Sequence, residues 1–250
     1  MKGRLALLGL TVGGLLSAQA ADIEQGHARS LACQACHGSA GVGTAPDIPN
    51  LAGQKGGYLQ AQLVAFRSRD RKHELMNAIA AQLNDADIAN LAAFWSSLPA
   101  GVTADPHAAD PAAEFRKSRM SFPAGFPRDF VMYHEVTDAA NNSAKRSYAN
   151  HAAVKAARAG QTLPAGSAIV VENLSAKDGV PGQINSYAAM ESRAGWGDGV
   201  PEILRNGDWS YALFDGQQTL RADFNYARCL ACHKPKADTS YLFGLDAIRK

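Results

Sequence analysis

The 250-residue sequence has no cysteine to spare, no excess charge of one sign and no long apolar run. Its four cysteines fall in two close pairs, leaving no odd thiol. Lys and Arg total 25 against 23 Asp and Glu, so there is no basic field of the kind that recruits nucleic acid. The apolar run from Leu5 to Leu16 is shorter than the about 20 residues a membrane helix needs, and no later segment is longer.

The cysteines themselves follow a pattern. Cys33-Gln34-Ala35-Cys36-His37 and Cys229-Leu230-Ala231-Cys232-His233 are both C-x-x-C-H runs, and together they use every cysteine. Two thiols so spaced can form thioether bonds to a porphyrin edge, and the adjoining histidine is then placed to bind the iron from one face. The runs predict two covalently bound c-type haems, anchored by Cys33, Cys36, Cys229 and Cys232, with His37 and His233 on the irons. Two other chemistries share the cysteine spacing, a four-cysteine zinc ribbon and a pair of short-loop disulfides. The histidine after each pair and the leader in front favour haem.

That leader is Met1 to Ala20. Lys2 and Arg4 precede the apolar run, and Ser17-Ala18-Gln19-Ala20 is a small-x-small cleavage pattern, so the stretch reads as a secretory signal peptide. The expected product starts at Ala21, has no membrane span and resides in the periplasm, where c-type haem is attached. Loss of Lys2 and Arg4 leaves basic and acidic residues equal in number. About 230 residues remain, enough for two modest domains, and each half holds one motif. The expected division is leader 1–20, first haem domain 21–99, Ala/Pro-rich linker 100–123 and second haem domain 124–250.

The first half reads as all helical. Asp22 opens a helical pattern through Ile23, His27 and Leu31 that delivers the chain to Cys33, and residues 38–46 have loop composition. Tyr58, Leu59, Leu63 and Phe66 recur at helical spacing, as do Ile88, Leu91, Ala92 and Trp95, with Asn84 as N-cap of the last helix. Between those two helices lies Met76. A thioether opposite a histidine raises the reduction potential and closes the iron to other ligands. Two alternatives stay open on spacing alone: Met76 as core filler, and His73 as the ligand. Arg67, Arg69, Arg71 and Lys72 just before it are a candidate docking patch for an acidic redox partner, or a solvated face.

Residues 22–98 resemble a class I cytochrome c of the bacterial c-four type. The resemblance is carried by Ala32 to Gly38, Pro49-Asn50-Leu51-Ala52-Gly53-Gln54, Tyr58-Leu59, Gln62-Leu63, the methionine and Leu83-Asn84-Asp85-Ala86-Asp87-Ile88. It implies that Met76 is the sixth ligand and that the carbonyl of Pro49 meets the other ring nitrogen of His37, a bond that fixes ring orientation.

The second half changes character. Phe130 to Val136, Ala168 to Glu172 and Trp209 to Phe214 are β-branched and aromatic runs that predict strands, and Asn150 to Arg158 is alanine-rich and helical. The expectation is an α+β domain with a mostly antiparallel sheet. With its motif near its own C-terminus, this half resembles the cytochrome P-460 family, which includes the cytochromes c-prime-beta. The matching residues are Phe126-Pro127-Arg128-Asp129-Phe130, Leu163-Pro164-Ala165-Gly166-Ser167, the strand after it, Trp209 to Phe214, and Cys229 to Lys234 followed by Tyr241-Leu242-Phe243. The resemblance implies His233 as proximal ligand with the opposite face usually open. It also implies a departure: members that oxidise hydroxylamine carry a lysine cross-linked to the porphyrin where this chain has Val171, before Glu172. Met190, Met132 and His134 are candidates to cap the second iron, and Glu191, Arg193 and Asp198 are candidate polar pocket residues.

The functional expectation is a periplasmic dihaem electron carrier. Its first haem relays electrons to and from redox partner proteins, and its second offers a site to a small gaseous or nitrogenous ligand such as nitric oxide. The competing expectation is an oxidoreductase acting on hydroxylamine or nitric oxide at the second haem. The second resemblance also allows a homodimer.

Overall fold

The computed structural model describes residues 20–101 and 110–250. The signal peptide read in Met1 to Ala20, save Ala20 itself, and residues 102–109 of the linker lie outside the described residues. Among the described residues no helix is long and apolar enough to cross a membrane.

Four helices make the first half: α1 (Ile23–His37), α2 (Gly56–Ser68), α3 (Glu74–Ala80) and α4 (Asp85–Ser97). Their starts are written in short polar side chains that accept orphan N–H groups. Asp22 accepts from Glu24 and Gln25, and Asn84 forms a reciprocal capping box with Asp87. Of the residues at helical spacing, Leu59, Phe66, Ile88, Leu91, Ala92 and Trp95 are buried and Leu63 partly so, while Tyr58 is exposed. The expectation put Met76 between two helices; it lies within the short helix α3. The axes of α1 and α4 approach closely because Gly26 has no side chain. A Cβ there would stand 2.1 Å from the carbonyl oxygen of Asn90.

The second half is an antiparallel five-stranded meander in the order β1-β2-β3-β4-β5: β1 (Phe130–Asp138), β2 (Ser143–Asn150), β3 (Ala168–Lys177), β4 (Val180–Ser192) and β5 (Trp209–Asp215). The first, third and fifth coincide with the runs read from composition; β2 and β4 are additional. A bulge at Tyr133 shifts the β1–β2 register between Met132 and His134.

The two sheet faces bury different chemistry. Ala149, Ile169, Met190, Trp209 and Tyr211 join the core beneath α6 (His151–Arg158), α7 (Ala227–His233) and α8 (Leu245–Arg249). On the other face Phe122, Phe126, Tyr187 and Phe214 pack mostly edge-on, with ring centroids 5.0–6.0 Å apart, the geometry the ring quadrupole prefers.

The described end of the linker is anchored. A short helix α5 (Ala113–Arg116) precedes the sheet, and Ala112, Phe115 and Met120 are buried. Arg119 donates to the carbonyl of Trp196 at 2.6 Å. The two halves share one apolar cluster, to which α1, α4, α5 and α7 all contribute.

Replacing Gly26 by alanine separates propensity from packing. Helix propensity alone would stabilise α1 by about 1 kcal/mol. Overpacking against the α4 backbone costs about 1–3 kcal/mol and here wins, so Gly26→Ala lowers the thermal midpoint of the first domain; an unchanged or raised midpoint would show that the crossing relaxes freely.

Candidate metal centres

The first centre is built on the last turn of α1. Positions three apart share a helix face, so Cys33 and Cys36 stand together, and His37 follows as the final residue of the helix. Gly38 takes φ +73° and reverses the chain; Thr44 then returns to bond the Cys36 carbonyl through its backbone N–H at 2.9 Å and its hydroxyl at 2.8 Å. The reversal carries Pro49 beneath the ring, where its carbonyl accepts from His37 Nδ1 at 2.8 Å. A carbonyl can only accept, so this bond selects the tautomer with hydrogen on Nδ1 and leaves Nε2 with its lone pair available. Burial lowers the His37 pKa and keeps the ring neutral, the form a metal requires.

The thiols sit in apolar surroundings. Burial pushes Cys33 up to about 12 and raises Cys36, the latter opposed by Arg228 and Arg116. Leu51, Leu63, Leu75 and Ile79 pack in the same cluster as the two cysteines, an apolar lining suited to a porphyrin edge.

The α3 segment packs against α2 and α7. Met76 is half-buried. Its loop is fixed by Asn77, whose Oδ1 accepts from His73 N at 2.8 Å while Nδ2 donates to the carbonyls of Phe66 and Arg71 at 2.6 and 2.8 Å. His73 caps α3, accepting from Met76 N at its Nδ1 at 3.2 Å, and it lies near enough to His37 to depress that pKa further. Of the basic patch, Arg67 bonds the Leu83 carbonyl and Asp85, and Arg71 bonds Gln62 and lies over the Phe66 ring. Both are committed to holding this loop.

The second centre repeats the arrangement on a different scaffold. Helix α7 carries Cys229, Cys232 and His233, and the carbonyl of Tyr241 accepts from His233 Nδ1 at 2.7 Å. Ser240 and Tyr241 both adopt positive φ, 54° and 62°, sparsely populated backbone of the kind that concentrates at functional sites; here it turns the carbonyl toward the ring. The imidazole packs between Tyr211 and Phe243, with centroids 4.5 and 4.9 Å away, and burial lowers its pKa. Asn206, 1% exposed, donates through Nδ2 to the Tyr211 hydroxyl at 2.9 Å and to the Leu230 carbonyl, inside the C-x-x-C, at 3.0 Å.

Register shows which residues share the sheet face of Tyr211, the ring that packs on His233. His134, Ser147, Val171, Ala188 and Leu213 lie opposite one another across five strands, and Leu213, two residues from Tyr211, shares its face. This row is mostly apolar and only partly covered, with His134 exposed at its rim. Val171, in its middle, has no amine to offer.

Other sequence candidates lie elsewhere. Met132 pairs with Tyr148, on the opposite face, and is 51% exposed. Met190 is buried in the helix-side core. Glu191 is paired with Arg193, and both line a separate cavity of about 300 Å³ with Asp129, Asn150 and His151. Asp198 is exposed, and its carbonyl accepts from Arg119. Alternation along β4 turns Glu191 away from the face that bears Met190.

The donor sets fit haem. No disulfide joins the cysteines, and among the described residues no three His, Cys, Asp or Glu side chains converge as a zinc site would require. Both histidines keep one ring nitrogen for a metal. The cytochrome c family model matches residues 24–99 and the cytochrome P460 model residues 123–244. The chain is 43% identical over 81 residues to cytochrome c-554(548) of Halomonas halodenitrificans, covering 98% of that protein and 31% of this chain. The chain belongs to the cytochrome c family. Its second half is a cytochrome P460 domain.

This cytochrome is also 39% identical to cytochrome c4 of Pseudomonas aeruginosa over 41% of this chain and 50% of that protein. Its identity to the thiosulfate dehydrogenase electron acceptor of Stutzerimonas stutzeri is 40%, over 34% of this chain and 43% of that protein. It thus spans about half the length of these two relatives. The two family domains make it a haem c electron-transfer protein.

Asn77, Asn206 and the Tyr241 carbonyl escaped sequence reading. Asn206-Gly207 carries only a turn signature, with Gly207 at φ 57°, and a backbone acceptor has no residue signature at all. Replacing Asn206 by alanine strips the Leu230 carbonyl of a buried donor, which costs about 1–3 kcal/mol. The expected result is a lower melting transition for the second domain with the first unchanged; coincident shifts of both would refute a local role.

Proposed function

We propose that this cytochrome is a periplasmic dihaem electron carrier in which the two centres differ at the face opposite the histidine. At the first, His37 and Met76 hold the iron, bound through Cys33 and Cys36. A histidine and a thioether leave no position for an exchangeable ligand and let the iron change oxidation state without rebuilding its surroundings. The observation that carries the reading is the doubled arrangement: two C-x-x-C-H helix ends, each histidine held through Nδ1 by a backbone carbonyl.

The second centre, bound through Cys229, Cys232 and His233, faces Ser147, Val171, Ala188 and Leu213, none of them a strong iron ligand, with His134 exposed at the rim of the row. That row supports a site for a small molecule such as nitric oxide, with the first centre exchanging electrons with periplasmic redox partner proteins. The name of the Stutzerimonas stutzeri relative, an electron acceptor, agrees with such a role.

A second reading, oxidation or reduction of hydroxylamine or nitric oxide at the His233 centre, is favoured by the fusion itself, because an attached relay serves a centre that turns over. Val171 argues against the version that depends on a lysine cross-link.

The dithionite-reduced protein should contain two haems per chain, and carbon monoxide should shift the visible spectrum of about half the haem. No shift would retire the open second site. Met76→Ala should make the first haem reactive to carbon monoxide as well and lower its midpoint potential, since the thioether is the ligand that raises it; an unchanged spectrum and potential would remove Met76 from the iron. Turnover of hydroxylamine or nitric oxide above that of free haem would move the protein to the enzyme reading.

A further inference from the structure

The contacts that assemble each centre leave one set unexplained. Helices α1 and α7, which carry the two attachment motifs, meet through Asn225. Its Nδ2 donates to the carbonyl of Ala35, inside the first C-x-x-C, at 2.8 Å and lies 3.8 Å from Cys36 Sγ. Its Oδ1 accepts from Ala227 N at 3.1 Å, at the start of α7. One side chain therefore ties the backbone of the first motif to the helix of the second, 190 residues away in sequence.

The contact is reciprocal. Just as Asn225 of the second half reaches Cys36, Glu74 of the first half stands with Oε1 3.4 Å from Cys232 Sγ. Arg228, one residue before Cys229, pairs with Asp47 in the loop that turns beneath His37. Farther out, Gln82 Nε2 donates to the Ile203 carbonyl at 3.0 Å. Mere domain packing needs only complementary surfaces. This interface instead presents one cysteine of each motif to a polar side chain of the other half, and those cysteines are where each porphyrin edge is anchored.

We infer that the interface between the two halves is an electron-exchange junction linking the two haem centres, with Asn225 as its positioning residue. The inference rests on the dihaem reading above. The step balances without a further reactant: the electron lost by one centre is the electron gained by the other. Asn225 acts by holding the Ala35–Cys36 turn against α7, so that the separation of the two anchors is fixed by a hydrogen bond rather than left to rigid-body motion. Glu74 has a second effect. Its carboxylate beside Cys232 favours the more positive, oxidised state of the second centre and holds that centre's potential down.

Asn225→Asp is the discriminating variant. It keeps the oxygen that Ala227 needs and removes the donor to Ala35, and losing such a bond weakens the docked arrangement by roughly tenfold. In the full-length haem-loaded protein, with haem content measured on the same sample, the first centre is reduced by a photochemical pulse and the approach to equilibrium is followed at wavelengths that separate the two haems. The expected result is an exchange rate independent of protein concentration in the parent, and roughly tenfold slower in the variant, with both spectra and the second centre's potential retained and the first centre's potential lowered by the carboxylate now beside Cys36. Glu74→Gln should raise the midpoint potential of the second centre, a readout that loss of packing would not produce. An exchange rate that is the same in Asn225→Asp, or that grows with protein concentration in the parent, overturns the junction. Failure of the dihaem reading is seen separately, as one haem per chain.

Discussion

A backbone carbonyl against the Nδ1 of a histidine is the constraint on which both centres depend. An imidazole on one bond to a helix end is free to turn, and only a fixed acceptor makes one ring nitrogen the donor and the other the ligand. The loop after α1 exists to bring the Pro49 carbonyl to His37: Gly38 reverses the chain, Thr44 fastens it back on Cys36, and Pro49 arrives 2.8 Å from the ring. After α7 the same end is reached by other means, through Ser240 and Tyr241 in left-handed backbone. An all-helical module and a meander sheet thus solve one chemical problem identically, which is how a site is grafted on unrelated folds.

Holding those carbonyls in place falls to a few buried or half-buried amides. Asn77 pins the loop around Met76, Asn206 ties Tyr211 to the backbone between Cys229 and Cys232, and Asn225 spans the two motifs. An amide can donate twice and accept twice, so one residue fastens several stretches of backbone that have no regular partners of their own. Each is therefore placed where the chain is irregular and the metal chemistry needs it rigid.

Much of this was legible in the residues. The helix starts at Asp22 and Asn84, the core positions Leu59, Phe66, Ile88, Leu91 and Trp95, and the bond between Pro49 and His37 all follow from local pattern or family likeness. Strands β2 and β4 did not. Lys145 and Arg146 make β2 look like surface, and Pro181, Gly182 and Asn185 depress the strand propensity of β4. Both are strands because they lie beside β3, whose Ile169 and Val170 are buried, and pairing with such a neighbour overrides intrinsic preference.

By itself the sequence determined which atoms can bind covalently and which can ligate, because thiol spacing and an adjoining imidazole are properties of a few consecutive residues. It also determined the order of the two domains, since periodicity and composition are local. Only the tertiary structure decided that Val171 shares the sheet face of Tyr211 while Met132 and Glu191 lie on the other, because a strand residue's face depends on register. Only it decided that residues 190 positions apart bring the two motifs into contact, since such a meeting is set by how two cores share one apolar cluster and leaves no mark in either motif.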